Sequence, residues 1–405
     1  MDSNLNLAIL FSTRIIRLFC YGFLSVILAL YLAATGLTEP QIGLLFTLTL
    51  LGDALITLWL TTSADRWGRR NVLLVGSILM AGAGLTFVLT RNYILLVLAA
   101  IIGVISPADK DIGPFLSVEQ SSLTHVLPDQ KRTQAFAWYN LAGSFASAVG
   151  ALSGGWIAAF LQQNGRSALE AYRVIVIGYA LGGLVLFLLF INLSSAIEVT
   201  TRSGSAKLVL GLHRSRGVVF KLSSLFALDA FAGGLIVQSM MAYWFHLRFG
   251  VDEKTLGSIF FGVNILAGIS ALLAIQIARK IGLINTMVFT HLPSNILLML
   301  VPLMPTLPLA IGLLLVRFSI SQMDVPTRQS YTMAVVDPDE RSAAAGVTAI
   351  ARSVGAALSP TLTGLFLATP TLLSLPFLLS GGLKIIYDLL LFREFRAVKP
   401  PEENL

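Results

Sequence analysis

Twelve apolar runs, each about twenty residues or longer, follow one another along the chain, and most of its charge is gathered between them. Crossing a hydrocarbon slab takes about 20 helical residues, because each advances the chain by ~1.5 Å. Inside that slab every backbone N–H and C=O must be satisfied within its own helix. The pattern predicts an all-α polytopic membrane protein of twelve transmembrane helices, the first six at about 8–34, 40–61, 71–90, 93–125, 134–161 and 171–192. The second six fall at about 217–247, 254–279, 284–302, 307–334, 341–366 and 371–392. Composition agrees: 56% of the chain is hydrophobic and 12% charged, about half the charge of a soluble domain.

Lys and Arg are divided unevenly about these runs. Sixteen lie on one side, among them Arg66, Arg69, Arg70, Lys131, Arg279 and Arg393, against five on the other, Arg91, Arg166, Arg173, Arg248 and Lys254. Short loops rich in Lys and Arg stay in the cytoplasm. Both termini are therefore expected there, with the chain in the plasma (inner) membrane. The net charge of +7 belongs to this asymmetry, and without a basic stripe no nucleic-acid partner is expected. Arg14 and Arg17 interrupt the first run and no basic region precedes it, so a retained helix is expected in place of a cleaved signal peptide. One cysteine, Cys20, excludes an internal disulfide or a thiolate metal cluster; no metal and no cofactor is expected.

The longest polar stretch divides the chain near its middle. It reads as a linker, 193–216, between an N-terminal six-helix half, 1–192, and a C-terminal one, 217–405, that ends in a short cytoplasmic tail. Within the linker, Lys207 to Arg214 suits either a short helix at the lipid surface or flexible solvated chain. The halves repeat. Gly36-Leu-Thr-Glu-Pro-Gln-Ile-Gly43 aligns with Gly250-Val-Asp-Glu-Lys-Thr-Leu-Gly257, and at the same offset of 214 Gly68 and Asn71 fall on Gly282 and Asn285. At 209, Glu119-Gln-Ser falls on Arg328-Gln-Ser. Parallel repeats of this kind are a transporter architecture with sites near the midplane.

Between the second and third runs stands Ser63-Ala-Asp-Arg-Trp-Gly-Arg-Arg-Asn71. It resembles the signature loop of the major facilitator superfamily, Gly-x-x-x-Asp-Arg-x-Gly-Arg-Arg, matching at Asp65, Arg66, Gly68, Arg69 and Arg70, with Thr61 in place of the first glycine. The resemblance, to a 12-helix transporter similar to proton-coupled antiporters, implies alternating access around a cavity lined by helices 1, 4, 7 and 10. It also implies a cytoplasmic latch in which Asp65 faces the start of helix 11 near 341–345 and Arg69 reaches Asp129. In the fifth run, Ala146 to Gly155 resembles the family's antiporter motif through Gly150, Gly154 and Gly155. Ser359-Pro-Thr-Leu-Thr-Gly364, with Pro360 and Gly364, is its counterpart in the eleventh. Small residues at this spacing also serve ordinary close packing.

Seven cations and seven anions lie inside the runs. Each costs about 2.5–3.5 kcal/mol on insertion scales, so each needs a partner or a wet path. Ten of the fourteen fall on helices 1, 4, 7 and 10, the cavity-lining set by resemblance. Proton-coupling candidates are Glu119, Asp229, Asp53 and Asp324. Glu119 is read as a protonatable gate with Arg14 or Arg328 as its switching partner, or as half of a static salt bridge. Substrate-cavity candidates are Arg14, Arg17, Tyr21, Asp109, Lys110, Asp111, Gln238, Arg317, Arg328, Tyr331 and Arg352. Helix 4 should break around Pro107, Gly113 and Pro114, and helix 10 at Pro326. Asp109 and Asp111 flank Lys110 and cannot share one direction, which argues against a metal site.

No His-Glu-x-x-His, Gly-x-Ser-x-Gly or phosphate-loop pattern is present, so no enzyme activity is expected. The expected function is secondary active transport of a small organic solute by a monomer in the lipid bilayer, with proton-coupled export as its form. An organic-anion or phosphate-ester carrier is the alternative that the intramembrane arginines raise. A non-transporting membrane sensor stands behind both.

Overall fold

The computed structural model describes residues 2–108, 113–127, 129–194, 197–198, 212–337 and 340–398, and among them it is helical with no strand. The first helices are α1 (Asp2–Ser25), α2 (Leu28–Ala34), α3 (Glu39–Trp67), α4 (Arg69–Leu89), α5 (Tyr93–Ile102), α6 (Phe115–Val126), α7 (Asp129–Gln163) and α8 (Ala168–Ile191). Next come α9 (Arg216–Gly234), α10 (Gln238–Phe249), α11 (Glu253–Ile281), α12 (Leu283–Leu300) and α13 (Leu307–Phe318). The last are α14 (Asp324–Ala334), α15 (Arg341–Leu358), α16 (Pro360–Leu367) and α17 (Leu375–Phe395). Ten helical stretches among the described residues are long and apolar enough to cross a membrane, and α5 and α13 are shorter apolar helices.

Those two short helices exist because expected spans 4 and 10 are broken, as are spans 1, 7 and 11. The fourth breaks where its glycines and prolines fall: Gly103 is extended, Gly113 has φ +77°, and Pro114 caps α6. The tenth breaks at Ser319–Met323, earlier than expected. Pro326 instead sits in the first turn of α14, where a missing N–H removes no helical bond.

The repeat aligned from sequence recurs as conformation. Gly36 and Gly250 have φ +98° and +64°, and Gly68 and Gly282 have +89° and +85°, a region that side chains with a Cβ avoid. Asn71 Nδ2 donates to Trp67 O at 2.7 Å, and Asn285 Nδ2 to Ile281 O at 2.8 Å. Thr38 caps α3 in a box with Gln41, while Asp252 Oδ1 accepts from Thr255 N at 2.9 Å to start α11.

Contacts gather the chain into two compact units, Met1–Gly204 with Gln238–Phe261, and Ser205–Val237 with Gly262–Leu405. In the first, α1 runs along α7, α4 along α8, and α3 along α5. The α1–α7 seam has backbone on backbone: a Cβ on Gly22, Gly150 or Gly154 would lie 2.0, 2.1 or 2.3 Å from the carbonyl oxygen of Ser147, Phe19 or Phe23. Gly155 meets the start of α11 just as closely, at Glu253 O and Gly257. Further bonds fasten Gln238–Phe261 into this unit. Ser239 Oγ donates to Ser25 O at 2.6 Å, Tyr243 OH to Glu39 Oε1 at 2.9 Å, and Tyr172 OH to Glu253.

In the second unit α9 packs on α15 and α12 on α17. Gly355, 209 residues after Ala146, repeats the tight seam, since a Cβ there would lie 2.3 Å from Ala227 O. Pro360 opens α16 from its first turn, and Gly364 is buried beside it. Leu55, Ile78, Leu89, Leu188, Ile275 and Leu389 point outward and are more than half exposed, the surface that lipid covers in a membrane protein.

Gly150→Val should force α1 and α7 apart. Overpacking of this kind costs about 1–3 kcal/mol, read as a lower melting temperature of the purified protein in detergent. Gly312, which has open space at its Cβ, tolerates alanine without loss.

Candidate functional site

Glu119 on α6 is fully buried in the first unit, and the sequence surrounds it with donors. Arg17 Nη1 and Nη2 reach its two oxygens at 2.7 Å each, Thr13 Oγ1 donates at 2.9 Å, and Tyr139 OH donates to Oε2. Thr13 and Arg17 are four residues apart on α1 and so share a face. The fork of Arg17 fits a carboxylate in the two-bond geometry that makes such pairs strong. Arg17 takes both oxygens of Glu119, a partner not among the expected Arg14 and Arg328. Arg14 lies over the ring of Tyr139, 4.6 Å from the centroid, and also acts on Glu119 electrostatically. Asp53 accepts from Gly113 N at 2.5 Å and Thr57 Oγ1 at 3.3 Å, so it fastens the broken fourth span to α3. Tyr21 is buried against Tyr179, and Gln238 Nε2 donates to Ser25 Oγ at 2.8 Å. Asp109, Lys110 and Asp111 lie outside the described residues.

The second unit repeats this pair with its signs exchanged. Arg328 on α14 stands where Glu119 stands in the first, and donates through Nη1 to Asp229 Oδ2 at 3.1 Å and Asp324 Oδ2 at 2.9 Å. Lys384 Nζ on α17 donates to the other Asp229 oxygen at 2.5 Å. One turn further along α17, Asp388 Oδ1 lies 2.8 Å from His291 Nδ1, and Asn295 Nδ2 donates to Oδ2 at 2.9 Å. His291 and Asp388 are 3% and 0% exposed.

Arg317, only 5% exposed, has neither a carboxylate nor a hydrogen-bond acceptor at Nε or Nη1 among the described residues. Its guanidinium rests over Phe318, 4.6 Å from the centroid. Arg352 on α15 is half-buried and likewise makes no ion pair or hydrogen bond among them. Tyr331 belongs to the apolar core with Phe226, Met287 and Tyr387, and its hydroxyl donates to Val398 O at 3.0 Å. It does not stand open to a solute as expected.

At the signature loop, Gly68 turns the chain between α3 and α4. The backbone N–H groups of Arg69 and Arg70 then donate to Glu198 Oε2 and Oε1 at 2.8 and 3.1 Å, placing a carboxylate on a helix N-terminus. The Arg69 guanidinium bonds the carbonyls of Ser121 and Ile197 at 3.3 and 3.0 Å, and Arg70 those of Phe190 and Ile191. Thr61 folds its hydroxyl onto Thr57 O at 2.6 Å, beside a cavity of about 210 Å³ that Arg69, Ser117 and Ser121 help to line. The side chains of Asp65, Arg66 and Asp129, the other expected members of the latch, lie outside the described residues.

Glu198 was missed in the sequence, although it is the carboxylate that follows the sixth span. The His291–Asp388 pair was missed as well; its signal was two polar couples at i, i+4 spacing, His291 with Asn295 and Lys384 with Asp388. A carboxylate also gathers the chain ahead of α9. Glu340 accepts from the backbone N–H groups of His213, Arg214 and Ser215, the last two at 2.8 Å. Burial alone would raise its pKa, but these three donors hold it at about 2.

Arg17→Met strands a buried carboxylate and should destabilise the protein by about 3–5 kcal/mol, while Arg17→Met with Glu119→Leu recovers most of that loss, as detergent melting curves will read. The stabilisation from Glu340 is fully present above its ordinary value of 4.5 and is lost as pH falls through about 2. The protection of the amides at 213–215, their exchange rate relative to the intrinsic rate at each pH, should therefore fall on acidification in the wild type, and be low and flat with pH in Glu340→Gln.

The model of the Major Facilitator Superfamily matches residues 10–360. The chain is 30% identical to the uncharacterized membrane protein YJR124C of Saccharomyces cerevisiae, over 97% of this chain and 94% of that protein. In fold it is similar to a bacterial homologue of the human lysosomal transporter Spinster, in an inward-facing and occupied conformation, with a TM-score of 0.74 at 16% identity and 96% of each chain covered. It is also similar to the nucleoside transporter NupG, with a TM-score of 0.74 at 14% identity, covering 96% of this chain and 99% of that one. With the family matched along most of its length and an all-helical membrane fold that solved transporters share, the chain belongs to the major facilitator superfamily of membrane solute transporters, and is not an enzyme.

Proposed function

We propose that this transporter is a proton-coupled secondary carrier of a small organic solute bearing an anionic group, a carboxylate or a phosphate ester. The observation that carries the reading is Arg317, a guanidinium buried with Nε and Nη1 unpaired among the described residues. A buried cation without a partner is costly, and a two-oxygen anion is the ligand that its fork fits. Arg352 adds a second cation. Across the spans of this unit four fixed cations, Arg317, Arg328, Arg352 and Lys384, stand against three carboxylates, Asp229, Asp324 and Asp388. One negative charge on the solute balances the set.

Glu119 with Arg17, and Asp229 with Asp324 and Arg328, are the ion pairs whose pairing would change between the two states of a proton-coupled alternating-access cycle. Asp53 and Gln238 border the helix breaks of that path. The internal repeat supports two six-helix halves, 1–192 and 217–405, joined by the 193–216 linker, and the Lys/Arg asymmetry supports cytoplasmic termini in a plasma membrane. Asp65, Arg66, Gly68, Arg69, Arg70 and Asp129 would form the latch on that side, acting in a monomer. One observation favours a second reading, proton-driven export: the tight seam at Gly150, Gly154 and Gly155, the motif that resemblance ties to antiporters.

Exchange by the purified protein in liposomes separates the two readings. Succinate and glycerol 3-phosphate should exchange, and Arg317→Gln should weaken their half-saturation about 10- to 100-fold, as loss of a charged hydrogen bond implies. Proton release driven by tetraphenylphosphonium, with no anion exchange, would establish export of cations instead.

A further inference from the structure

We infer that His291, held by Asp388, is the site that binds the transported proton, and that it takes the proton together with the anionic solute. The inference rests on the anion reading for its linkage, and on geometry of its own for the site. Asp388 is fully buried with both oxygens occupied, one by His291 Nδ1 and one by Asn295 Nδ2. Both contacts come from one face of α12, since residues 291 and 295 are a turn apart. A carboxylate accepts, so it holds the ring with its Nδ1–H inward, 2.8 Å from Asp388 Oδ1 and beside Asn295 Nδ2 at 3.2 Å, and leaves the lone pair on Nε2. A proton adds there, forming an N–H bond and an imidazolium opposite Asp388, and leaves to water from the same atom. Histidine is the side chain whose ordinary titration falls between pH 5 and 8.

The neighbours give the linkage its sign. From α17, Lys384 and Tyr387 stand beside the ring, Lys384 already bound to Asp229 of α9 and Tyr387 edge-on at 6.1 Å. From α14, Asp324 acts on the ring electrostatically while it pairs with Arg328. Arg317 of α13 and Arg352 of α15 complete the charged set within this unit. With His291 neutral, the four cations and three carboxylates leave one positive charge, and protonation makes it two. A bound anion removes one of these, so solute and proton favour each other, and by reciprocity each tightens the other's binding. An isolated structural ion pair would need no such imbalance around it. The arrangement therefore describes proton and anion moving in the same direction.

Two measurements on the full-length protein in lipid test this. In ¹⁵N-histidine spectra, where His291→Gln assigns one signal among four histidines, the His291 ring should pass from one protonated nitrogen to two between pH 8 and 5. Asp388→Asn should hold it neutral throughout. A ring fixed in one state across that range in the wild type overturns the site. In liposomes loaded with a pH dye, protons carried per succinate or glycerol 3-phosphate should fall at least tenfold in His291→Gln, whatever flux remains. An unchanged ratio overturns the assignment. If neither anion exchanges in the wild type, the solute class and the linkage fail, and the ring titration alone decides the proton site.

Discussion

A charge inside hydrocarbon must bring its own solvent, and the interior of this protein is arranged around that requirement. In the first unit Glu119 shows how it is met, accepting from Arg17 through both oxygens and from Thr13 and Tyr139 besides, so that its own acceptors are saturated. The second unit solves the same problem with more charges. Asp229, Asp324 and Arg328 satisfy one another with Lys384, yet Arg317 and Arg352 are left over. The repeat has kept the ion pair between corresponding helices while exchanging its polarity, cation on α1 and anion on α6, then anion on α9 and cation on α14. A pair's attraction does not depend on which helix carries which sign, so duplication followed by reversal preserves stability while changing what a solute meets.

Backbone imposes the companion constraint. Broken helix in a membrane leaves N–H and C=O groups that must be covered by protein or water, and here carboxylates do much of the covering. Asp53 takes the N–H of Gly113 at the break between α5 and α6, Glu198 takes those of Arg69 and Arg70, and Glu340 takes three ahead of α9. Each acid is far in sequence from the backbone that it serves. Each therefore closes a long loop at a helix end, the place where orphan donors and the helix dipole together favour an anion.

That distance explains what was legible in the sequence. Local chemistry was readable: the apolar runs, the glycines 36, 68, 250 and 282 that later show positive φ, and the break around Pro107 to Pro114. All of these depend on neighbours within a few residues. Partners across helices were harder, because depth along a helix is known only to about a turn. Arg14 and Arg17 are less than one turn apart, and depth alone could not say that the forked pair with Glu119 would be made by Arg17. Pro326 misled for a related reason: proline marks a helix start as readily as a break, and only the position of the preceding turn separates the two.

The imbalance of the second unit has a consequence for mechanism that the saturated Arg17–Glu119 pair lacks. A saturated pair such as Arg17–Glu119 gains nothing from a charged solute, so it would open only with the conformational change itself. An unsaturated set responds to any added charge, and its response is shared among all its members because they lie in one low-dielectric region. Arg317, His291 and the acids between them need not touch the same ligand to be coupled. A solute anion and a proton at separate atoms change one electrostatic sum. Coupling of that kind requires only that the set remain one charge out of balance, which would make Arg317 and Arg352, the cations without a salt bridge among the described residues, as important to the proposed proton coupling as the histidine that would receive the proton.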